Sequence, residues 1–200
     1  MTILLLDERW PTQIPLEAVG AVEGPVEFSS EVPVSVRWNI DKLLRTTDGE
    51  GLWVSMDPHD PETRRRMEQG ERVIEAASLS DAVWQAQQVM QRARRIGQWE
   101  REQTHETLLP YLEEEAAEFA EAVREAPAEM CKELGDVFLQ VLFHAEIAST
   151  FSLDDVAASF VTKMRSRAPY LFDGTEDIVD VDEQERLWAE GKRYEDSAGA

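Results

Sequence analysis

The sequence predicts a mainly α-helical protein: a helical bundle over about residues 80–195, preceded by a small α/β lobe over 1–75. Three observations carry this. Apolar residues recur at helical spacing through most of the second region, whereas short strand-like runs broken by Pro and Gly fill the first. A linker near Glu75–Ser80 separates the two textures. The last residues, 196–200, are small and polar and are expected to fray.

Composition bounds the function. A hydrophobic share of 42% over 200 residues suits one globular domain, or one plus a small lobe. A net charge of −21 argues against nucleic acid or an anionic membrane as partner, since both require a basic surface. The single cysteine, Cys131, excludes an intrachain disulfide, fits a reducing compartment and is read as a small packing residue. Ile3–Leu6 is stopped by Asp7, without the basic flank of a signal peptide, and nothing approaches the roughly 20 apolar residues of a membrane span. The expectation is a soluble, cytoplasmic protein.

In the lobe, strands are expected at Thr2–Leu6, Val26–Phe28, Val32–Trp38 and Leu52–Ser55, with helical patches at Leu16–Val22 and Glu62–Gln69. It holds no glycine-rich phosphate loop or metal-ligand cluster, and His59 sits alone in Asp57-Pro58-His59-Asp60-Pro61. A stability or assembly element is the default reading, a degenerate nucleotide-binding lobe the sharper one.

Ser80 is placed to cap a helix over Asp81–Ile96, with Val83, Ala86, Met90 and Ala93 inward and Gly97 as its stop. Arg92, Arg94 and Arg95 suit its C-terminal turn. Residues 97–105 read as a polar loop, with Thr104 as the next N-cap.

Two amphipathic helices then meet at a turn near Ala126-Pro127, with Pro127 expected in the first turn of the second. Leu108, Leu112, Phe119 and Val123 mark one stripe, and Leu134, Val137, Phe138 and Val141 the other. Inside this hairpin lie two carboxylate pairs, Glu115/Glu118 and Glu133/Asp136, each spaced to share a helix face. Residues 115 and 136 are centred on the same point of the sequence as 118 and 133. A reversal there sets Glu115 level with Asp136 and Glu118 level with Glu133. Four converging carboxylates repel unless a cation neutralises them, and an all-oxygen set suits Mg²⁺ or Mn²⁺. Against this stands the abundance of acid, 41 Asp+Glu, in which such spacings arise on solvated faces.

Ser152-x-x-Asp155 starts a further helix to about Ser166, closed by Pro169, with Lys163, Arg165 and Arg167 at its end. Asp182-x-x-Glu185 caps a last helix from Glu183 to about Tyr194, on which Trp188 and Lys192 lie one turn apart. Gly191 interrupts it and is expected to weaken it. Glu102-x-x-His105 has the spacing of a di-iron motif, but such bundles need two of them on separate helices.

Glu114-Glu115-x-x-Glu118 followed by Glu133-Leu134-Gly135-Asp136 resembles the EExxE…ExxD signature of the MazG nucleoside triphosphate pyrophosphohydrolases. Gln103-Thr104-His105, Pro110-Tyr111-Leu112 and Gln140 through Ala145 are also similar to that family, and the resemblance runs from about Ser80 to Glu195. Gly97-Gln98 replaces the family's Cys-Pro and Glu100 its Asp, while Ala168 and Tyr170 stand where the family has two histidines.

The resemblance implies an all-α bundle completed across a homodimer or higher oligomer, and Mg²⁺-dependent hydrolysis of nucleoside triphosphates to monophosphate and pyrophosphate. A house-cleaning role on normal, aberrant or oxidised nucleotides is implied with it. Glu115, Glu118, Glu133 and Asp136 would hold the metal, and Glu114 would orient a ligand or water or be solvated. Lys163, Arg167 and Lys192 would meet the polyphosphate, and Trp188 belongs to the family's substrate site. His105 belongs with Trp99 and Gln103 to the family's substrate loop, where Trp99 would stack on a base while Gln103 reads its edge, or Trp99 would wedge against the bundle. A non-catalytic nucleotide- or partner-binding module is the competing reading, and a purely structural acidic bundle the third.

Overall fold

The computed structural model describes residues 1–19, 24–43 and 51–198. Its contacts form two compact units, Met1–Gln88 and Val89–Ala200.

The first unit is a parallel four-stranded sheet of β1 (Thr2–Leu5), β2 (Val26–Phe28), β3 (Leu52–Ser55) and β4 (Arg72–Glu75), in the order β2-β3-β1-β4. Leu4 pairs in register with Val54 on one side and Ile74 on the other. Central β1 is buried on both faces, which is why Ile3–Leu6 is a continuous apolar run instead of an alternating one. Leu4 and Leu6 pack with Val36 and Ile40 of α1 (Val34–Leu43) in the core. Trp53 faces the other way, and its indole N–H donates to Thr63 of α2 (Pro61–Glu68) at 2.9 Å.

Two expectations for this unit are corrected, and one strand is added. Val32–Trp38 is not a strand: α1 starts there, because Val32, Val36 and Ile40 recur every four residues and are buried, while Val34 and Trp38 point outward. The helical patch at Leu16–Val22 is a single 3₁₀ turn, Leu16–Ala18, and its part over 20–22 lies outside the described residues. Edge strand β4 carried too little apolar pattern to be read.

At the carboxyl ends of β1, β2 and β3, the side that in such folds receives ligands, the polar groups bond one another. Buried Asp7 accepts from Arg9, whose guanidinium lies 4.4 Å from the Trp10 ring and 3.9 Å from that of Trp84. Glu31 accepts from the hydroxyls of Ser29 and Ser55 and from the Met56 amide. Although partial burial opposes it, these donors bring the Glu31 carboxyl down to about 2.

The bundle is built from α3 (Ala82–Ile96), α4 (Gln98–Glu102), α5 (His105–Glu125), α6 (Met130–Ile147), α7 (Leu153–Arg167) and α8 (Val181–Ala198). The division between the units falls inside α3. Asp81, not Ser80, caps α3, its carboxylate accepting from the Trp84 amide at 2.7 Å. The expected loop at 97–105 is partly the short helix α4, entered at Gly97, where a Cβ would lie 2.8 Å from the Ala93 carbonyl oxygen and run into the Glu100 carboxylate. Capping boxes open α5 at Thr104 and α7 at Ser152. Pro127 lies in the turn before α6 and not inside it. Asp180, not Asp182, caps α8, which continues past Tyr194 to Ala198 and so takes in most of the supposedly frayed tail.

Gly191 is no weak point. Helix α8 passes through it unbroken, and an added Cβ would lie 2.9 Å from Arg167 Cα and closer still to the Ser166 carbonyl. It is the residue that lets α8 cross α7 closely. Cys131 is exposed, not packed. Among the described residues no helix is long and apolar enough to cross a membrane.

Candidate active site: a carboxylate group on the α5–α6 hairpin

Helices α5 and α6 run antiparallel about the turn at 126–129 and bring Glu115, Glu133 and Asp136 together. Each offers a carboxylate oxygen within 4.8 Å of the others. Glu118, one turn beyond Glu115, is exposed and outside this group of three, as is Glu114. Both still act on it. The Glu115 carboxyl is pushed up by loss of hydration first, then by the negative charges of Asp136, Glu118, Glu114 and Glu133.

Glu133 is the buried member. It is only 9% exposed, and its Oε2 is buried with no hydrogen-bond partner. A desolvated carboxylate oxygen without a donor is costly, and a water or a cation there would satisfy it. Three carboxylates converge here, and the donor set is all hard oxygen, the kind Mg²⁺ and Mn²⁺ take. The residues fit such an ion.

The sequence reading missed Lys132. Its Nζ lies 2.8 Å from Glu133 Oε1 and 3.4 Å from Asp136 Oδ2. These bonds hold its ammonium above the usual lysine range. The signal was the adjacency itself, a cation beside Glu133 and one helical turn before Asp136.

The loop residues resolve differently. The Trp99 ring meets Tyr111 and Phe143 edge to face, both with centroids 5.8 Å apart, so it is wedged against the bundle, with 48% of the residue still exposed. Gln103 donates to the Trp99 carbonyl at 3.0 Å and accepts from the Thr107 hydroxyl at 2.9 Å, which occupies both ends of its amide. His105 stacks on His144, with Nδ1 atoms 2.8 Å apart. His144 Nε2 and Gln140 Oε1, one turn apart on α6, are buried without partners. Both belong to the motif quoted above but had been given no role.

Of the expected polyphosphate contacts, Arg167 is engaged elsewhere. It pairs with Glu195 at 2.5 Å and lies 5.2 Å from the centre of the Trp188 ring, tying α7 to α8. Lys163 and Lys192 are exposed. A hollow of about 510 Å³ between these helices is lined by Thr162, Arg165, Ser166, Glu190, Gly191 and Tyr194, none of them an expected site residue.

Two family models match the chain, the MazG N-terminal domain over residues 1–74 and the MazG nucleotide pyrophosphohydrolase domain over 103–172. The crystal structure of a mazG-related protein from Thermotoga maritima is 31% identical, with a TM-score of 0.50, over 55% of this chain and 97% of that one. The chain belongs to the MazG family. A nucleoside triphosphate pyrophosphohydrolase of Mycolicibacterium smegmatis is 40% identical over 98% of this chain. One of the same name from Mycobacterium tuberculosis is 36% identical over 98% of it. The chain spans 63% and 62% of the lengths of those two relatives. Within this MazG chain, the pyrophosphohydrolase match contains all five acids, Gln103, His105, Lys163 and Arg167; it ends before Trp188 and Lys192.

Proposed function

We propose that this chain hydrolyses nucleoside triphosphates between the α and β phosphates, releasing monophosphate and pyrophosphate, with Mg²⁺ or Mn²⁺ at the carboxylate group. The observation that carries the reading is the buried, partnerless Glu133 Oε2 beside Glu115 and Asp136. Glu115, Glu133 and Asp136 would hold the ion, and Glu118, one helical turn from Glu115, would join them or orient its water. A divalent ion bound there offsets phosphate charge and lowers the pKa of an attacking water.

The chain's own residues supply the rest. Exposed Lys163 and Lys192 would meet the polyphosphate as mobile point charges. Arg167 would act through Trp188 and Glu195, fixing the α7–α8 face, more than as a phosphate ligand. Wedged Trp99 leaves an exposed side that a base can reach. The acid-rich site repels a nucleotide that arrives without its cation, so the nucleotide–metal complex is the expected substrate.

The reading includes a homodimer and a house-cleaning role in the cytoplasm, on normal or damaged nucleotides. In support of the dimer, α7 has no buried residue along its 15, and Val156, Phe160 and Val161 are exposed on it, as are Leu109, Leu134 and Leu139 on the hairpin.

The test is product analysis with a panel of canonical and oxidised triphosphates, resolved by ion exchange. Equal amounts of monophosphate and pyrophosphate support the proposal. Diphosphate with orthophosphate would place cleavage at the wrong bond, and binding without turnover in either metal would make this a non-catalytic module.

A further inference from the structure

Lys132 stands where an α-helix least favours a cation. It is the third residue of α6, in the turn whose free N–H groups carry partial positive charge. Its spacing to Asp136, cation first and acid four residues later, is also the weaker orientation for a helical pair. Local helix physics therefore does not account for it. The carboxylate group does: its ammonium bonds Glu133 Oε1 and Asp136 Oδ2, two of the three groups that converge there. The side chain is 65% exposed, so nothing but these acids holds it in place.

We propose that Lys132 is a tethered counter-ion of the metal site: it neutralises part of the carboxylate charge while no metal is bound, and a divalent ion must displace it to bind. The inference rests on the metal reading above. An ammonium 2.8 Å from Glu133 Oε1 and 3.4 Å from Asp136 Oδ2 would lie close enough to a dication on these same carboxylates for strong like-charge repulsion. Being exposed and flexible, the lysine swings into water at small cost. One monovalent charge is also incomplete compensation, which agrees with Glu133 Oε2 remaining unpartnered beside it. Lys132 thus raises the metal concentration at which the site fills.

The test is Mn²⁺ binding to the whole chain, followed by electron paramagnetic resonance, for wild type, Lys132→Met and Lys132→Arg. Methionine keeps the stem and removes the charge, and should tighten Mn²⁺ by about three- to tenfold at low salt, with the gain shrinking as salt screens it. Arginine should stay within about twofold of wild type. Metal-free Lys132→Met should also melt below the metal-free wild type, while the metal-saturated proteins melt together. Unchanged or weaker Mn²⁺ binding by Lys132→Met, with wild type binding well, would overturn the counter-ion role alone. No saturable Mn²⁺ binding by wild type, or binding undiminished in Glu133→Gln, would overturn the metal reading and this inference with it.

Discussion

His105 and His144 lie face to face, their ring planes within 1° of parallel and their Nδ1 atoms 2.8 Å apart, joining the first turn of α5 to the last turns of α6. One Nδ1 must donate and the other accept, so the contact cannot survive with both rings protonated. Burial, then the neighbouring His105, pulls the His144 pKa below the ordinary imidazole value. Protonation therefore opposes the fold. The stabilisation is whole above the ordinary imidazole pKa and is lost as pH falls through it toward the depressed value. Melting temperature should drop between about pH 7 and pH 5, and the His144→Gln variant should flatten that drop. A circular dichroism melt at each pH measures both.

Gly191→Ala separates two physical effects of opposite sign. Helix propensity alone predicts stabilisation by about 1 kcal/mol. The Cβ, however, would meet the Ser166 carbonyl and Arg167 Cα of the crossing helix. Overpacking against backbone costs about 1–3 kcal/mol, so the net expectation is loss of stability in urea unfolding. A gain would mean that α7 and α8 are not pressed together there.

Glu115→Gln should make the metal-free protein more stable at pH 7, because the carboxyl is held up by lost hydration and by four neighbouring acids. A raised carboxyl pKa favours folding below its ordinary value, and that advantage is lost as pH rises through the raised one. Mg²⁺ or Mn²⁺ should raise the melting temperature of wild type, and the variant should lose that rise. Differential scanning fluorimetry with and without metal reads both effects.

Glu133→Gln and Glu118→Gln should differ in kind. Removing the charge of the buried ligand should lower kcat/KM at least about a hundredfold. Glu118, outside the group of three, should cost about ten- to a hundredfold, the range for groups that tune a metal site from outside. Steady-state kinetics with a saturating metal series separates the two.

Phe160→Asp should turn a dimer into a monomer. Phe160 is 60% exposed on a helix with no buried face. A desolvated charge there would break an apolar interface, whereas on a monomer it would cost nothing. Light scattering coupled to size exclusion decides between them.

The residues differ in how legibly they announced themselves. Thr104 and Ser152 were readable as caps because a capping box is a local pattern, complete within four residues. Leu4 and its neighbours were readable as a strand from the apolar run alone. Val32–Trp38 misled because Val32, Val34 and Val36 alternate at strand period while Val32, Val36 and Ile40 recur at helical period; burial of the second set decided it. Asp81 and Asp180 took the capping positions expected of Ser80 and Asp182 through a shift of one or two residues, which no local preference distinguishes among acids and hydroxyls. In the candidate site, the pairing of Glu115 with Asp136 was legible because a two-helix reversal fixes register by counting. The exclusion of Glu118, the engagement of Arg167 by Glu195 and the place of Lys132 were not, since each depends on side-chain direction.

By itself, the sequence determined that a small α/β lobe precedes a helical bundle, the antiparallel hairpin and the meeting of Glu115, Glu133 and Asp136 on it. Periodicity and symmetric spacing are properties of the chain's order, and the backbone geometry of helices turns them into place. Tertiary structure alone decided that Gly191 is a crossing point, that Trp99 is wedged and that Glu133 is buried with an oxygen unmet. Those facts depend on what a second element brings within a few ångströms, and no residue carries that information about itself.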